Sequence, residues 1–196
     1  MLWKIKRMGL AAIVIPAGLT LPAAASDLAD LISACAEGRM GFEERVATIE
    51  ALGYSRTQPQ DPLWVEAQVA HIAMSELQFG GDGLVETYHS FRDLAASGQM
   101  FRDDQTQQSF ANATRDLMVS LSLLDGAPGC SIAFGVGAPL PEIPLTTRRD
   151  YSSNYGAYTT YRIGRGGVSS GSVLSSAWDT LMPAPRRAAG FLVVSQ

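Results

Sequence analysis

Two runs of alternating side chains decide the fold of this chain, in the stretch LMVSLSLLDGAPGCSIAFGV from Leu117 to Val136. In the first run the apolar side chains recur at every second residue, at Leu117, Val119, Leu121 and Leu123. The second run repeats the pattern at Cys130, Ile132, Phe134 and Val136. A period of two is typical of β-strands, and the Asp, Gly and Pro residues between the runs are typical of a turn. The stretch predicts an antiparallel hairpin with Cys130 on its buried face.

The other cysteine lies on a different apolar face, one with a helical period. Leu28, Leu31, Ile32 and Cys35 recur at i, i+3, i+4 and i+7, and Ser26 or Asp27 can cap the start of the helix. Two cysteines on buried faces of an exported chain favour a disulfide. We therefore predict that a Cys35–Cys130 bond joins the first helix to the sheet; two buried free thiols are the alternative.

Export is predicted from the first residues of the chain. Lys4, Lys6 and Arg7 precede an apolar segment that carries no charge until Asp27, and small alanines end that segment. This order is typical of a secretory signal peptide, which we assign to residues 1–25, with cleavage after Ala25 or Ser26. The mature chain would then be periplasmic or secreted, with no transmembrane span. A retained membrane anchor is the alternative.

A second alternative concerns Cys35 itself. The tetrapeptide Ile32-Ser33-Ala34-Cys35 resembles the bacterial lipobox, which implies a lipoprotein anchored through Cys35. However, Asp27 and Asp30 stand between the apolar segment and the cysteine. Because carboxylates are costly to place in a membrane, the helical interpretation is favoured.

The remaining segments predict helices first and strands later. Helical stripes with capping residues cover about 42–52, 61–80 and 84–98, whereas residues 100–116 are polar and fit either helix or loop. Strands are expected at about 155–163 and 190–196, with a loop rich in Gly and Ser around 167–171. We predict one α+β domain over residues 26–196, with N-terminal helices packed on a C-terminal antiparallel sheet in two layers.

Charge is distributed unevenly along the chain. Both lysines lie in the predicted signal peptide, and the rest of the chain carries 12 arginines and 19 carboxylates, an all-arginine usage that suggests a GC-rich bacterial genome. Residues 27–125 have a net charge of −10, and residues 126–196 have a net charge of +3. The acidic mature chain and its export argue against nucleic acid as a partner.

Catalytic and metal motifs are weak. Gly167-Val168-Ser169-Ser170-Gly171 matches G-x-S-x-G, but in hydrolases with that motif the catalytic histidine follows the serine, and here His71 and His89 both precede it. We therefore interpret the segment as a loop and assign no catalytic residue. Two histidines without a spaced ligand cluster predict no metal site and no cofactor.

One group of residues suggests binding. Arginines at 148, 149, 162 and 165 interleave with tyrosines at 151, 155, 158 and 161. Guanidinium groups bind carboxylate or phosphate, and tyrosines add flat contact surface. The predicted ligand-binding residues are Arg148, Arg149, Tyr158, Tyr161, Arg162 and Arg165. The competing interpretation is that these arginines pair with the acidic half of the chain.

These observations predict an exported, non-enzymatic binding domain whose partner is a cell-envelope protein, a glycan or an anionic ligand. The alternative is a hydrolase of envelope material with an unidentified active site. A deep pocket containing a carboxylate of raised pKa would favour the hydrolase, whereas a convex surface would favour simple binding.

Overall fold

The structure is a computed structural model that describes residues 23–37, 39–58, 60–98, 107–124, 127–138, 148–163, 167–182 and 185–194. Within these ranges, the structure does not describe the side chains at 23–27, 124, 127, 128, 161–163, 167 and 168. Residues 1–22, most of the predicted signal peptide, also lie outside it. None of the described helices is long and apolar enough to cross a membrane.

The first two helices are α1 (Ala23–Ala36) and α2 (Phe42–Ala51). The predicted stripe of α1 is confirmed, because Leu28, Leu31 and Cys35 are buried. Cys35 forms the predicted disulfide with Cys130, with 5.5 Å between their Cα atoms. The first helix is therefore linked covalently to the sheet.

Arg45 of α2 holds the C-terminal end of α1. Its guanidinium is buried and donates hydrogen bonds to the carbonyl oxygens of Ala34, at 2.8 Å, and of Cys35 and Glu37. The last carbonyls of a helix have no partner within the helix, so a buried arginine satisfies them and complements the helix dipole. The sequence pattern did not reveal this role.

The next helices are α3 (Pro62–Ser75), followed by a 3-10 helix (Glu76–Phe79), and α4 (Leu84–Ala96). Asp61 caps α3 as predicted, since its side chain accepts a hydrogen bond of 2.9 Å from the Leu63 amide. Gly80 ends the 3-10 helix at a φ of 105°, a conformation that favours glycine. The short turn that follows brings α4 back against α3.

Within the described part of the chain, eight strands form one antiparallel sheet in the order β1-β2-β3-β4-β8-β7-β6-β5. Their bounds are β1 Ser55–Thr57, β2 Gln107–Ala111, β3 Leu117–Leu124, β4 Ala127–Gly135, β5 Arg148–Ser153, β6 Gly156–Ile163, β7 Gly167–Leu174 and β8 Ala188–Val194. The predicted hairpin is confirmed as β3 and β4. A second 3-10 helix, Ser176–Leu181, connects β7 to β8. The α+β class with helices packed on an antiparallel sheet is therefore confirmed.

Helices cover both faces of the sheet, giving three layers rather than the two expected. The odd-numbered side chains of β3 and the even-numbered side chains of β4 pack against α1 and α2. They include Val119 and Ile132. The alternate side chains, Met118 and Ala133, pack with α3 and α4. Because successive strand residues point to opposite faces, a strand with apolar residues at both parities requires cover on both sides.

Four of the described strands differ from what the sequence predicts. Residues 107–111, within the segment expected to be helix or loop, form β2, and β1 and β5 were not predicted. The expected Gly/Ser-rich loop is wrong, because Gly167–Leu174 forms β7 between β6 and β8. These strands are polar or rich in small residues, so their conformation depends on pairing with neighbours rather than on local preference.

Candidate functional site

The predicted Arg/Tyr residues lie on the outer strands β5 and β6. Arg148 and Arg149 are adjacent on the edge strand β5, so they point to opposite faces of the sheet. Arg148 Nε donates a hydrogen bond of 2.7 Å to Asp150, which also accepts one of 2.8 Å from the Thr159 hydroxyl. These two bonds lower the pKa of Asp150. Charged side chains on an edge strand also discourage pairing with another sheet.

Tyr158 and Tyr161 are the tyrosines among the predicted ligand-binding residues, and the structure describes the side chain of Tyr158 only. That side chain is part of the core. Tyr158 is buried, and its ring centroid lies 5.3 Å from that of His71 and 6.4 Å from that of Tyr151. By register, Tyr161 is opposite Arg148, and Arg162 is opposite Val168. The side chains of Tyr161 and Arg162, and all of Arg165, lie outside the described residues. Because Arg148 and Arg149 point to opposite faces and Tyr158 is buried, these residues do not share one face of the sheet. Ligand binding by members of the set stays a prediction.

The competing interpretation of these arginines is wrong for Arg148. Every ion pair among the described residues joins two members of the same half of the chain, as Arg148 and Asp150 do. Arg149 makes no ion pair with any described residue. The acidic half instead reaches the later half through Glu66, whose carboxylate accepts backbone hydrogen bonds from Arg187 and Ala188.

His71 of α3 lies over β7, where it contacts two serines. Its Nδ1 is 3.1 Å from Ser172 Oγ, and its Nε2 is 3.0 Å from Ser170 Oγ. The ring also packs against Phe191, with 5.1 Å between centroids. Burial lowers the pKa of His71 to about 4. The imidazole is therefore neutral near pH 7, with one nitrogen donating and the other accepting.

The geometry supports a structural role for this group rather than serine catalysis. Ser170 lies in the middle of β7, opposite Thr160 on one side and Val193 on the other, so the surrounding backbone groups belong to the sheet. An oxyanion hole needs backbone N–H groups that are free to bind substrate. Ser169, the serine of the G-x-S-x-G match, is buried on the opposite face from His71, and its hydroxyl has no partner among the described residues.

A cavity of about 360 Å³ lies between α3 and α4, where sequence analysis assigned no site. Its walls are mostly apolar and include residues from both helices and the chain after the second 3-10 helix; the full lining is Gln60, Pro62, Val65, Glu66, Val69, Tyr88, Arg92, Ala95, Ala96 and Met182. This volume is at the lower end of the range for small-molecule sites. A few polar groups in an apolar cleft are the usual composition of such a site.

Glu66 is the carboxylate of the cavity. Its Oε1 accepts hydrogen bonds of 2.8 Å from the backbone amides of Arg187 and Ala188, at the start of β8. Burial raises the pKa of Glu66, while the two amides and the nearby Arg186 and Arg187 guanidinium groups oppose part of the rise. Glu66 is therefore held in a fixed orientation inside the cavity wall.

Tyr88 and Arg92 of α4 complete the polar part of the cavity. Tyr88 is buried, and its ring packs edge-on against Trp178, with 5.2 Å between centroids. Burial raises the pKa of the Tyr88 hydroxyl, and the neighbouring Arg92 opposes part of that rise. The Arg92 guanidinium carbon lies 5.9 Å from the Tyr88 ring centroid, within reach of a cation–π interaction. The aromatic ring thus supports the arginine.

Sequence reasoning missed this site, although one signal was present. Glu66 is the only charged residue within α3, which is otherwise apolar with few polar residues. A single carboxylate in a largely buried helix must be satisfied inside the protein. Among the described residues, no group of three or more His, Cys, Asp or Glu side chains could hold a metal ion. Comparison of the chain with protein-family models, curated proteins and solved structures finds no match.

Proposed function

We propose that the protein is an exported binding domain whose ligand occupies the cavity between α3 and α4. The observation that carries this proposal is the cavity itself, with apolar walls and a few fixed polar groups. Apolar contact supplies most of the affinity in such sites, and the polar groups select the ligand.

Export is supported by two independent features. The basic and apolar character of residues 1–25 is typical of a signal peptide, and the Cys35–Cys130 disulfide is typical of an oxidising compartment. We place the protein in the periplasm or outside the cell.

A second candidate is a hydrolase that uses Glu66. A pocket with a carboxylate of raised pKa is the feature that favours this alternative. Glycoside hydrolysis, for example, needs a second carboxylate on the other side of the bond. Among the described lining residues, the other polar groups are Gln60, Tyr88 and Arg92, none of which supplies that carboxylate. The geometry therefore supports binding better than hydrolysis.

The proposal can be tested by filling the cavity. Ala96 is an exposed residue of α4 that lines the cavity, so Ala96→Phe is expected to obstruct it with little effect on the core. Ala47→Phe, which adds the same ring to an exposed position of α2, is the matched control. The measurement is the fluorescence of N-phenyl-1-naphthylamine, a neutral apolar probe, during titration with each protein.

We expect the wild-type protein and Ala47→Phe to enhance the probe's fluorescence equally, and Ala96→Phe to lose most of the enhancement. Equal enhancement by Ala96→Phe would exclude the cavity as the site. Hydrolysis of p-nitrophenyl butyrate by the wild type, abolished in Glu66→Gln but retained in Glu76→Gln, would instead support the hydrolase.

A further inference from the structure

We infer that the ligand of this cavity is an amphiphile with an anionic head group, held by the Arg92 guanidinium while its apolar chain lies between α3 and α4. This inference rests on the proposed function, because it assigns a chemical class to the ligand of the same cavity. The head group is a carboxylate or a phosphate, both of which match the donor geometry of arginine.

Arg92 has hydrogen-bonding capacity that the protein does not use. Its Nε and Nη2 are 3.4 and 3.2 Å from one oxygen of Asp93, the next residue in the chain. These contacts are long, and the two side chains are 41% and 73% exposed, so the pair contributes little stability. A guanidinium has five N–H donors, and besides the Asp93 contacts Arg92 donates a side-chain hydrogen bond to the Tyr88 hydroxyl. The remaining donors are available to a ligand.

The position of Arg92 is fixed by the cavity wall. Its guanidinium lies near the ring of Tyr88, which is buried and packed against Trp178. An arginine supported by a rigid aromatic ring loses less side-chain entropy when it binds a ligand. Because its side chain is partly exposed while the other wall residues are mostly apolar, Arg92 lies where a polar head group can stay in contact with water.

The negative charge of Glu66 does not oppose an anionic ligand strongly. Its carboxylate accepts hydrogen bonds from the Arg187 and Ala188 amides and is near the positive charges of Arg186 and Arg187. Its charge is thus partly compensated inside the protein. Arg92 is the one cationic side chain among the described lining residues, and no protein carboxylate binds it in a bidentate manner.

The test compares ligands that share a chain and differ in head group. Decanoate, decyl phosphate and decanol are titrated against the full protein carrying N-phenyl-1-naphthylamine, and displacement of the probe gives each affinity. We expect one of the two anions to bind at least about tenfold more tightly than decanol, as a charge-assisted bidentate pair implies. The anion that binds more tightly identifies the head group.

Arg92→Gln is expected to weaken binding of that anion about tenfold and to leave decanol unchanged. The control Arg56→Gln removes the same charge from β1, where Arg56 pairs with Glu50, and should leave all affinities unchanged. Arg92→Lys, which keeps the charge but not the planar donors, should show an intermediate loss. If Arg92→Gln does not fold, the affinities of Arg92→Lys for the two anions and decanol serve as the test.

The outcomes separate this inference from the proposed function. Two results would show that the anionic class is wrong while the cavity remains a binding site for the probe. In the first, decanol binds as tightly as both anions. In the second, Arg92→Gln and Arg92→Lys bind the anions as tightly as the wild type does. If the probe itself does not bind the wild-type protein, the proposed function fails.

Discussion

Acidification is expected to destabilise the protein through His71, because burial lowers the pKa of this residue to about 4 from an unfolded value of 6.5. The unfolded chain therefore binds the proton at a higher pH than the folded chain does. The contribution of neutral His71 to stability is fully present above pH 6.5 and decreases as the pH falls from 6.5 to 4. Each pH unit in this window lowers the free energy of unfolding by about 1.4 kcal/mol, which gives a loss of about 3 kcal/mol in total.

The experiment is best done between pH 7 and pH 5, above the range where most carboxylates titrate. The linkage relation predicts that His71 lowers the free energy of unfolding by about 2 kcal/mol between these two values. Urea denaturation at each pH, followed by tryptophan fluorescence, measures it. In His71→Gln this part of the pH dependence should disappear, whatever the variant's stability at pH 7.

His89→Gln is the matched control, because His89 is the only other histidine and lies half-buried on α4. It should keep the pH dependence of the wild type. Glu66, whose raised pKa has the opposite effect and stabilises the fold as the pH falls, is present in all three proteins and cancels in the comparison. An unchanged pH dependence in His71→Gln would refute the argument that the buried imidazole is neutral.

Three further predictions concern the N-terminal part of the chain and the contacts that hold α1. Replacing both Cys35 and Cys130 by serine is expected to lower the free energy of unfolding by about 4 kcal/mol, because the bond closes a loop of 95 residues; a loss below about 1 kcal/mol would contradict it. Intact mass should also show a chain that begins at Ser26 or Asp27 and is alkylated only after reduction. Arg45→Met should lower the free energy of unfolding by about 2 to 4 kcal/mol, because carbonyl groups of α1 lose their donor. Arg39→Met, at an exposed position, should change the free energy of unfolding by no more than about 0.5 kcal/mol. Equal urea midpoints for these two variants would exclude the proposed role of Arg45.

The sequence predicts those helices and strands whose local residue pattern is enough to specify their conformation. The β3–β4 hairpin has apolar side chains at every second position, and α1 has a stripe that ends on Cys35, so each pattern identifies both the element and its buried face. The matching faces of the two cysteines then predict the disulfide, which the structure confirms. Local periodicity and burial agree in these segments.

The missed elements depend on distant parts of the chain. β7 consists largely of Gly, Ser and Val, and it is a strand because β6 and β8 pair with it on both sides. Its small side chains also leave room for His71 to approach Ser170 and Ser172. A single-sequence pattern carries little information about such pairing, so composition alone suggested a loop.

The cavity was missed for a similar reason. Glu66 and Arg92 belong to different helices, and Met182 is ninety residues further along the chain from Arg92. α4 shows an apolar stripe and α3 is largely apolar, but the space left between the helices depends on how they pack and on the chain that closes one side. Arginines and tyrosines close together in sequence attracted attention instead, although adjacent strand residues diverge to opposite faces.

The most direct test of the central claim is an intermolecular nuclear Overhauser spectrum of methyl-labelled protein with bound N-phenyl-1-naphthylamine. We predict cross-peaks between the ring protons of the probe and the methyl groups of Val65, Val69 and Met182, which line the cavity. Methyl groups of Val46 and Ile49, in the core on the other face of the sheet, should give none. Cross-peaks only to exposed residues such as Val173 would contradict the claim that the α3–α4 cavity is the binding site.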